Sequence, residues 1–121
     1  MYFENKVSSI LQQLQVDSPH VTGAVLLSED GLPIVSQLPS DLEAESVAGM
    51  NSVLHNIGVN SSNELKIGEI EQLMIRAEHG YMVVSSVING TMLLVVTDEK
   101  VVLGSVFHFM KKAVSKISKI M

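Results

Sequence analysis

The stretch GYMVVSSVINGTMLLVVT, Gly80 to Thr97, runs 18 residues without a charge and divides into two β-rich halves at Asn89-Gly90. Such a run is almost long enough to cross a bilayer as a helix, but Asn89-Gly90 sits in its middle and Ser85-Ser86 interrupts it. Asn-Gly accepts positive φ at both central positions of a tight turn, so the stretch reads as a hairpin of two strands, Tyr81 to Ile88 and Thr91 to Thr97. Upstream, His79-Gly80 turns the chain out of a preceding strand over Glu69 to Glu78. Alternation there puts Leu73, Ile75 and Ala77 on one face and Ile70, Gln72, Met74 and Arg76 on the other. Three consecutive strands so joined form an antiparallel meander.

Further upstream, Ser40-Asp41-Leu42-Glu43 has the spacing of a capping box, which predicts a helix start. At about 100° per residue, Leu42, Val47, Met50, Val53, Leu54 and Ile57 share one sector, the face expected to lie on a sheet. Beside it lie the smaller or moderately polar Ala44, Ala48, Asn51 and His55, which would let another helix approach closely, and beyond them Glu45, Gly49, Ser52 and Asn56. Gly58 is expected to end the helix, with Asn60-Ser61-Ser62-Asn63 as a loop. Val21 to Ser28 and Leu32 to Leu38, joined by Glu29-Asp30-Gly31, read as a hairpin. Val7, Ile10, Leu11 and Leu14 form one stripe of a first helix that Asp17-Ser18-Pro19 stops. Leu103, Val106, Met110, Ala113, Ile117 and Ile120 form the stripe of a last helix. The order α-β-β-α-β-β-β-α predicts an α+β domain, a five-stranded antiparallel sheet with helices on both faces.

A length of 121 residues and 13.1 kDa suits one domain spanning 1–121. There is no cysteine, which excludes a disulfide framework, a thiolate metal site and a cysteine nucleophile and suits a reducing compartment. The start Met1-Tyr2-Phe3-Glu4-Asn5-Lys6 lacks the basic residues and apolar run of a secretory signal, so a soluble, cytoplasmic protein is expected. Hydrophobic residues make up 46% and charged residues 17%, which leaves the surface short of charge for a lone monomer and points to contact with another subunit. Net charge is −5 and Arg76 is the only arginine, so no basic field exists to hold nucleic acid. The acids gather between Glu29 and Glu78, whereas Lys100 to Met121 carries five lysines and no acid. That basic, amphipathic end could meet an anionic membrane or an acidic partner, but lysines near a helix C-terminus also complement its dipole.

Nothing in the chain spells out a catalytic centre. His20, His55, His79 and His108 stand in four different elements or turns without metal-ligand spacing. The pairs Glu29–Asp30 and Asp98–Glu99 read as a turn and a helix start rather than as acid–base partners. Ser105 follows Gly104 but lacks the flanking pattern of a nucleophile elbow, and the eight glycines spell neither a P-loop nor a dinucleotide fingerprint. No catalytic residue, metal or cofactor is therefore expected.

The pattern as a whole resembles the Roadblock family, the dynein light-chain type of small domain. The segment from Gly23 through Gly31 to Val35 resembles its first hairpin, Leu42 to Ile57 its central helix, Gly80 to Val84 and Met92 to Val96 its last two strands, and Leu103-Gly104 the start of its last helix. Longin and profilin-like modules share much of this layout. The resemblance implies a homodimer in which the third strands pair into one continuous sheet and the central helices lie side by side. Ala44, Ala48, Asn51, His55, Ile70, Gln72, Met74 and Arg76 are then the expected interface. It also implies binding of a small Ras-like GTPase, either as a scaffold or as a regulator of hydrolysis, with Glu45, Ser52 and Asn56 as expected contacts. The sole arginine lies in the strand expected to be taken up by dimer pairing, so stimulated hydrolysis would proceed without an arginine finger, through the GTPase's own switch residues. Two alternatives stand beside it: a longin- or profilin-like sensing domain that binds a small molecule beneath the sheet, and, also implied by the Roadblock resemblance, an accessory subunit of a dynein-type motor.

Overall fold

A computed structural model describes residues 2–121; Met1, the first residue of the segment compared with a secretory signal, lies outside them. In chain order the elements are α1 (Tyr2–Asp17), β1 (Val21–Leu27), β2 (Pro33–Gln37), α2 (Ala44–Leu65), β3 (Gln72–Ala77), β4 (Gly80–Ser86), β5 (Met92–Thr97) and α3 (Leu103–Ile120). The sheet order is β2-β1-β5-β4-β3 and every neighbouring pair is antiparallel. Asn89 (φ 54°) and Gly90 (φ 81°) form the anticipated turn, closed by the Thr91 N–H donating to the Ile88 carbonyl at 3.0 Å.

Strand alternation divides the core into two layers. Ala24, Leu26, Val83, Leu93 and Val95 point to one face, where Val7, Leu11 and Leu14 of α1 and Val106, Met110, Ala113 and Ile117 of α3 cover them. Val25, Leu27, Val84, Met92 and Leu94 point to the other, under Val47 and Ala48 of α2. Residues 24–27 of β1 and 92–96 of β5 read as unbroken apolar runs because both faces of these strands are covered there. Gly80 is required where β4 meets β5: a Cβ there would overlap the Thr97 carbonyl oxygen.

Three local expectations are corrected. The capping box does not form. Glu43 is the N-cap without a side-chain bond, and Ser40 lies in a turn closed by the Leu42 N–H on the Pro39 carbonyl. Nor does Gly58 end α2, which continues through Asn60–Asn63 to Leu65. It stops where Lys66 turns left-handed (φ 57°) and the Ile67 N–H caps the Ser62 carbonyl at 3.1 Å. Ser61 and Ser62 meet their hydroxyl needs by bonding back to the Ile57 and Val59 carbonyls, so a polar run stays helical. Gly58 serves contact instead: a Cβ would lie 2.6 Å from Ile70 Cδ1. The last correction concerns β3, which starts only at Gln72, so strict alternation does not extend to Ile70. Expected beside Met74, Ile70 lies against Gly58 on the α2 side.

Candidate interaction surface

The two edges of the sheet differ. β2 begins with Pro33, is half-buried along most of its length, and is tied to α1 by Gln37 Nε2 donating to Ser8 Oγ at 2.7 Å. β3 pairs with β4 on one side only, and all of its residues except Leu73 are exposed. Its outer N–H and C=O groups are therefore free to pair with another chain. Met74 is 45% and Ile75 41% exposed on this edge. Gln72, Met74 and Arg76 stand opposite Ser85, Val83 and Tyr81, which places them on the sheet face that carries α1 and α3. Ile75 and Ala77 share the α2 face, where they line a hollow of about 420 Å³ with Met82 and Val96.

α2 is rotated from the expected orientation. Ala48 and Asn51 are fully buried against the chain's own sheet, Val47 is buried with them, and Ala44 and His55 are half-buried on the same side. Met50, Val53 and Ile57, expected to face the sheet, are 57%, 60% and 57% exposed. Ala44, Ala48, Asn51 and His55 thus serve intrachain packing, and Met50, Val53 and Ile57 form an apolar stripe on the outward flank. The physical reason is closeness: small residues at Ala48, Asn51 and Gly58 let the helix axis sit low over the strands, and the bulky residues turn outward. Both flanks of α2 are apolar, so periodicity alone could not choose between them; the small residues at positions 44, 48, 51 and 58 were the signal that could have. The fit carries one flaw. Asn51 donates to Met92 Sδ at 3.9 Å, but its buried Oδ1 has no partner among the described residues.

Of the expected GTPase contacts, Glu45 and Asn56 are exposed. Ser52 is half-buried, donates to the Ala48 carbonyl at 3.2 Å and abuts Gly31 in the β1–β2 turn. Among the histidines, His20 Nδ1 lies 2.8 Å from Asp98 Oδ2, and the Asp98 N–H donates to the His20 carbonyl, joining the start of β1 to the end of β5. The His20 hydrogen bond holds the Asp98 carboxyl below its ordinary pKa, opposed by desolvation and helped by the Lys100 N–H. Among the described residues no cluster of three His, Cys, Asp or Glu side chains could hold a metal ion, and no helix is long and apolar enough to cross a membrane. An open cleft of about 460 Å³ between the C-terminal half of α2 and the β4–β5 turn, lined by His55, Val59, Asn63, Ile70 and Asn89 among others, is where a small molecule could sit.

Known proteins share this arrangement. The structure of Myxococcus xanthus MglB is similar at a TM-score of 0.89 and 19% identity, over 96% of this chain and 87% of that one, a likeness of fold. A Roadblock/LC7 domain from Streptomyces avermitilis matches at 0.86 and 25% identity, over 93% and 95% of the two chains. In sequence, the protein MJ0714 of Methanocaldococcus jannaschii is 36% identical over 114 residues, covering 94% of this chain and 95% of the relative. The family model for the Roadblock/LC7 domain matches residues 8–97, and with it the chain belongs to the Roadblock/LC7 domain family.

Proposed function

We propose that the whole chain, 1–121, works as one Roadblock-like unit: a non-catalytic homodimeric scaffold that binds a small Ras-like GTPase. The observation that carries this reading is the bare edge of β3 together with the outward apolar stripe Met50, Val53 and Ile57 of α2. Pairing two copies along β3 satisfies the free backbone groups, and stacking two α2 helices covers the stripe. Gln72, Met74, Ile75 and Arg76 then lie at the strand junction. Glu45 and Asn56 remain open on the paired helices as GTPase contacts, with Ser52 bracing the neighbouring turn. Arg76 stands on the sheet face opposite α2, out of reach of a nucleotide held on the helix platform. Any stimulated hydrolysis therefore works by reshaping the GTPase's own switch residues.

The test is a pull-down with candidate small GTPases loaded with GTP or GDP. Nucleotide-dependent binding, weakened by Glu45→Arg and Asn56→Arg, is expected, and the absence of nucleotide-dependent binding to any of them contradicts the reading. Where hydrolysis is stimulated, Arg76→Ala leaves the stimulation intact; its loss in a variant that still dimerises would restore a finger role.

A further inference from the structure

The seam between α1 and α3 lies on the sheet face away from α2, and the dimer reading leaves it unused. There the first turns of α1 lie beside the last turns of α3 and border an open, shallow groove of about 690 Å³. Ile10 and Ile120 are half-buried in it, Tyr2 forms an exposed wall, and Lys6, Lys116 and Lys119 stand around it. Among the described residues no carboxylate lines the groove. Glu4 lies on the opposite flank of α1 by helical spacing, and Asp17, at the far end of α1, accepts from Gln13 at 2.9 Å. Among the described residues no lysine takes part in an ion pair.

In a chain of net charge −5, three unpaired lysines around one apolar groove form a local field of the opposite sign. The α3 dipole accounts for Lys119 and in part for Lys116, but not for Lys6, which sits toward the positive end of α1 and rests over the Tyr2 ring at 5.1 Å. We propose that the α1–α3 groove is a docking site for an acidic amphipathic helix of a partner protein. Its shape favours a helix over a lipid surface: the apolar residues are recessed between two helices, where a third helix can lay its own stripe, and lysines from both walls flank that path. Glutamates or aspartates on either side of the partner's stripe would then meet Lys6 on one wall and Lys116 and Lys119 on the other. Because the site is opposite α2, it can be filled while the proposed dimer stays intact, and the proposal stands whether or not a GTPase binds.

The experiment measures fluorescence anisotropy of the full-length protein with a labelled synthetic peptide carrying leucines at i, i+3, i+4 and i+7 flanked by glutamates. The controls are the same peptide with glutamine for glutamate and phosphatidylcholine vesicles containing phosphatidylserine. Binding of the glutamate peptide is expected, weakened about tenfold or more by the combined K6Q/K116Q/K119Q substitution and by raised salt. Glutamine keeps the long stem and helix propensity, and circular dichroism with amide-shift mapping checks that the variant is folded and that the peptide sits on α1 and α3. Equal binding of the glutamine peptide, unchanged binding by the folded triple variant, amide shifts confined to α2, or binding of vesicles but not peptide would each overturn the proposal.

Discussion

Ile57→Ala offers a sharp test of the rotated α2. Ile57 is 57% exposed in the single chain, so a partner can still cover that share of it. Truncation removes three carbon atoms, each worth about 0.8 kcal/mol when fully buried, which at this exposure comes to about 1.4 kcal/mol per copy. Twofold symmetry applies the loss twice, so the dimer should weaken by roughly 2.7 kcal/mol, about a hundredfold in its dissociation constant. Alanine is the better helix former, so the fold of each chain should persist with unchanged helical circular dichroism. Sedimentation equilibrium over a concentration series reads the constant directly. An unchanged dissociation constant would refute the placement of Met50, Val53 and Ile57 at the interface, and a collapse of the helical signal would show that Ile57 holds the single chain together.

Three other outcomes follow from single positions. Gly80→Ala should cost about 1–3 kcal/mol in urea unfolding, because the new methyl meets the Thr97 backbone rather than a yielding side chain; an unchanged midpoint would mean that β4 and β5 separate freely there. Asn51→Ala keeps the position small and removes the unpartnered buried Oδ1, so it should cost less than about 1 kcal/mol or stabilise the chain, and a larger loss would show that the amide is satisfied by a group not among its protein neighbours. Asp98 has a lowered folded pKa, so its contribution is complete above the ordinary aspartate range and lost as pH falls through the lower folded value. The acid limb of the stability curve should therefore flatten in His20→Ala, and an identical limb in that variant would remove the pair from the account.

The fold was legible where a local rule had no competitor. Asn89-Gly90 sets two successive positive φ values that few other pairs tolerate, and the meander followed from it. β1 and β5 were legible because burial on both faces leaves only apolar residues over 24–27 and 92–96. α2 was harder, because its boundaries depend on tertiary contact. Ser40 has the spacing of a cap but sits in a turn, and Gly58 has the composition of a stop but is the point of closest approach to Ile70. Its rotation was hidden for the same reason. An interface helix is apolar on two flanks, one for its own sheet and one for a partner, and hydropathy does not say which is which. The placement of Arg76 on the face opposite Leu73, Ile75 and Ala77 came from alternation, which the pairing with β4 reproduces residue by residue, whereas the bare edge of the third strand came only from the family resemblance.

Backbone hydrogen exchange along Gln72–Ala77, measured on the unmodified protein over a range of concentrations, tests the pairing of two copies most directly. The account predicts that the outward-pointing amides of this strand gain protection with concentration in step with the dimer fraction, while the inward ones are already protected by pairing with β4. Outward-pointing amides that exchange at the unprotected rate even at the highest concentration would contradict it.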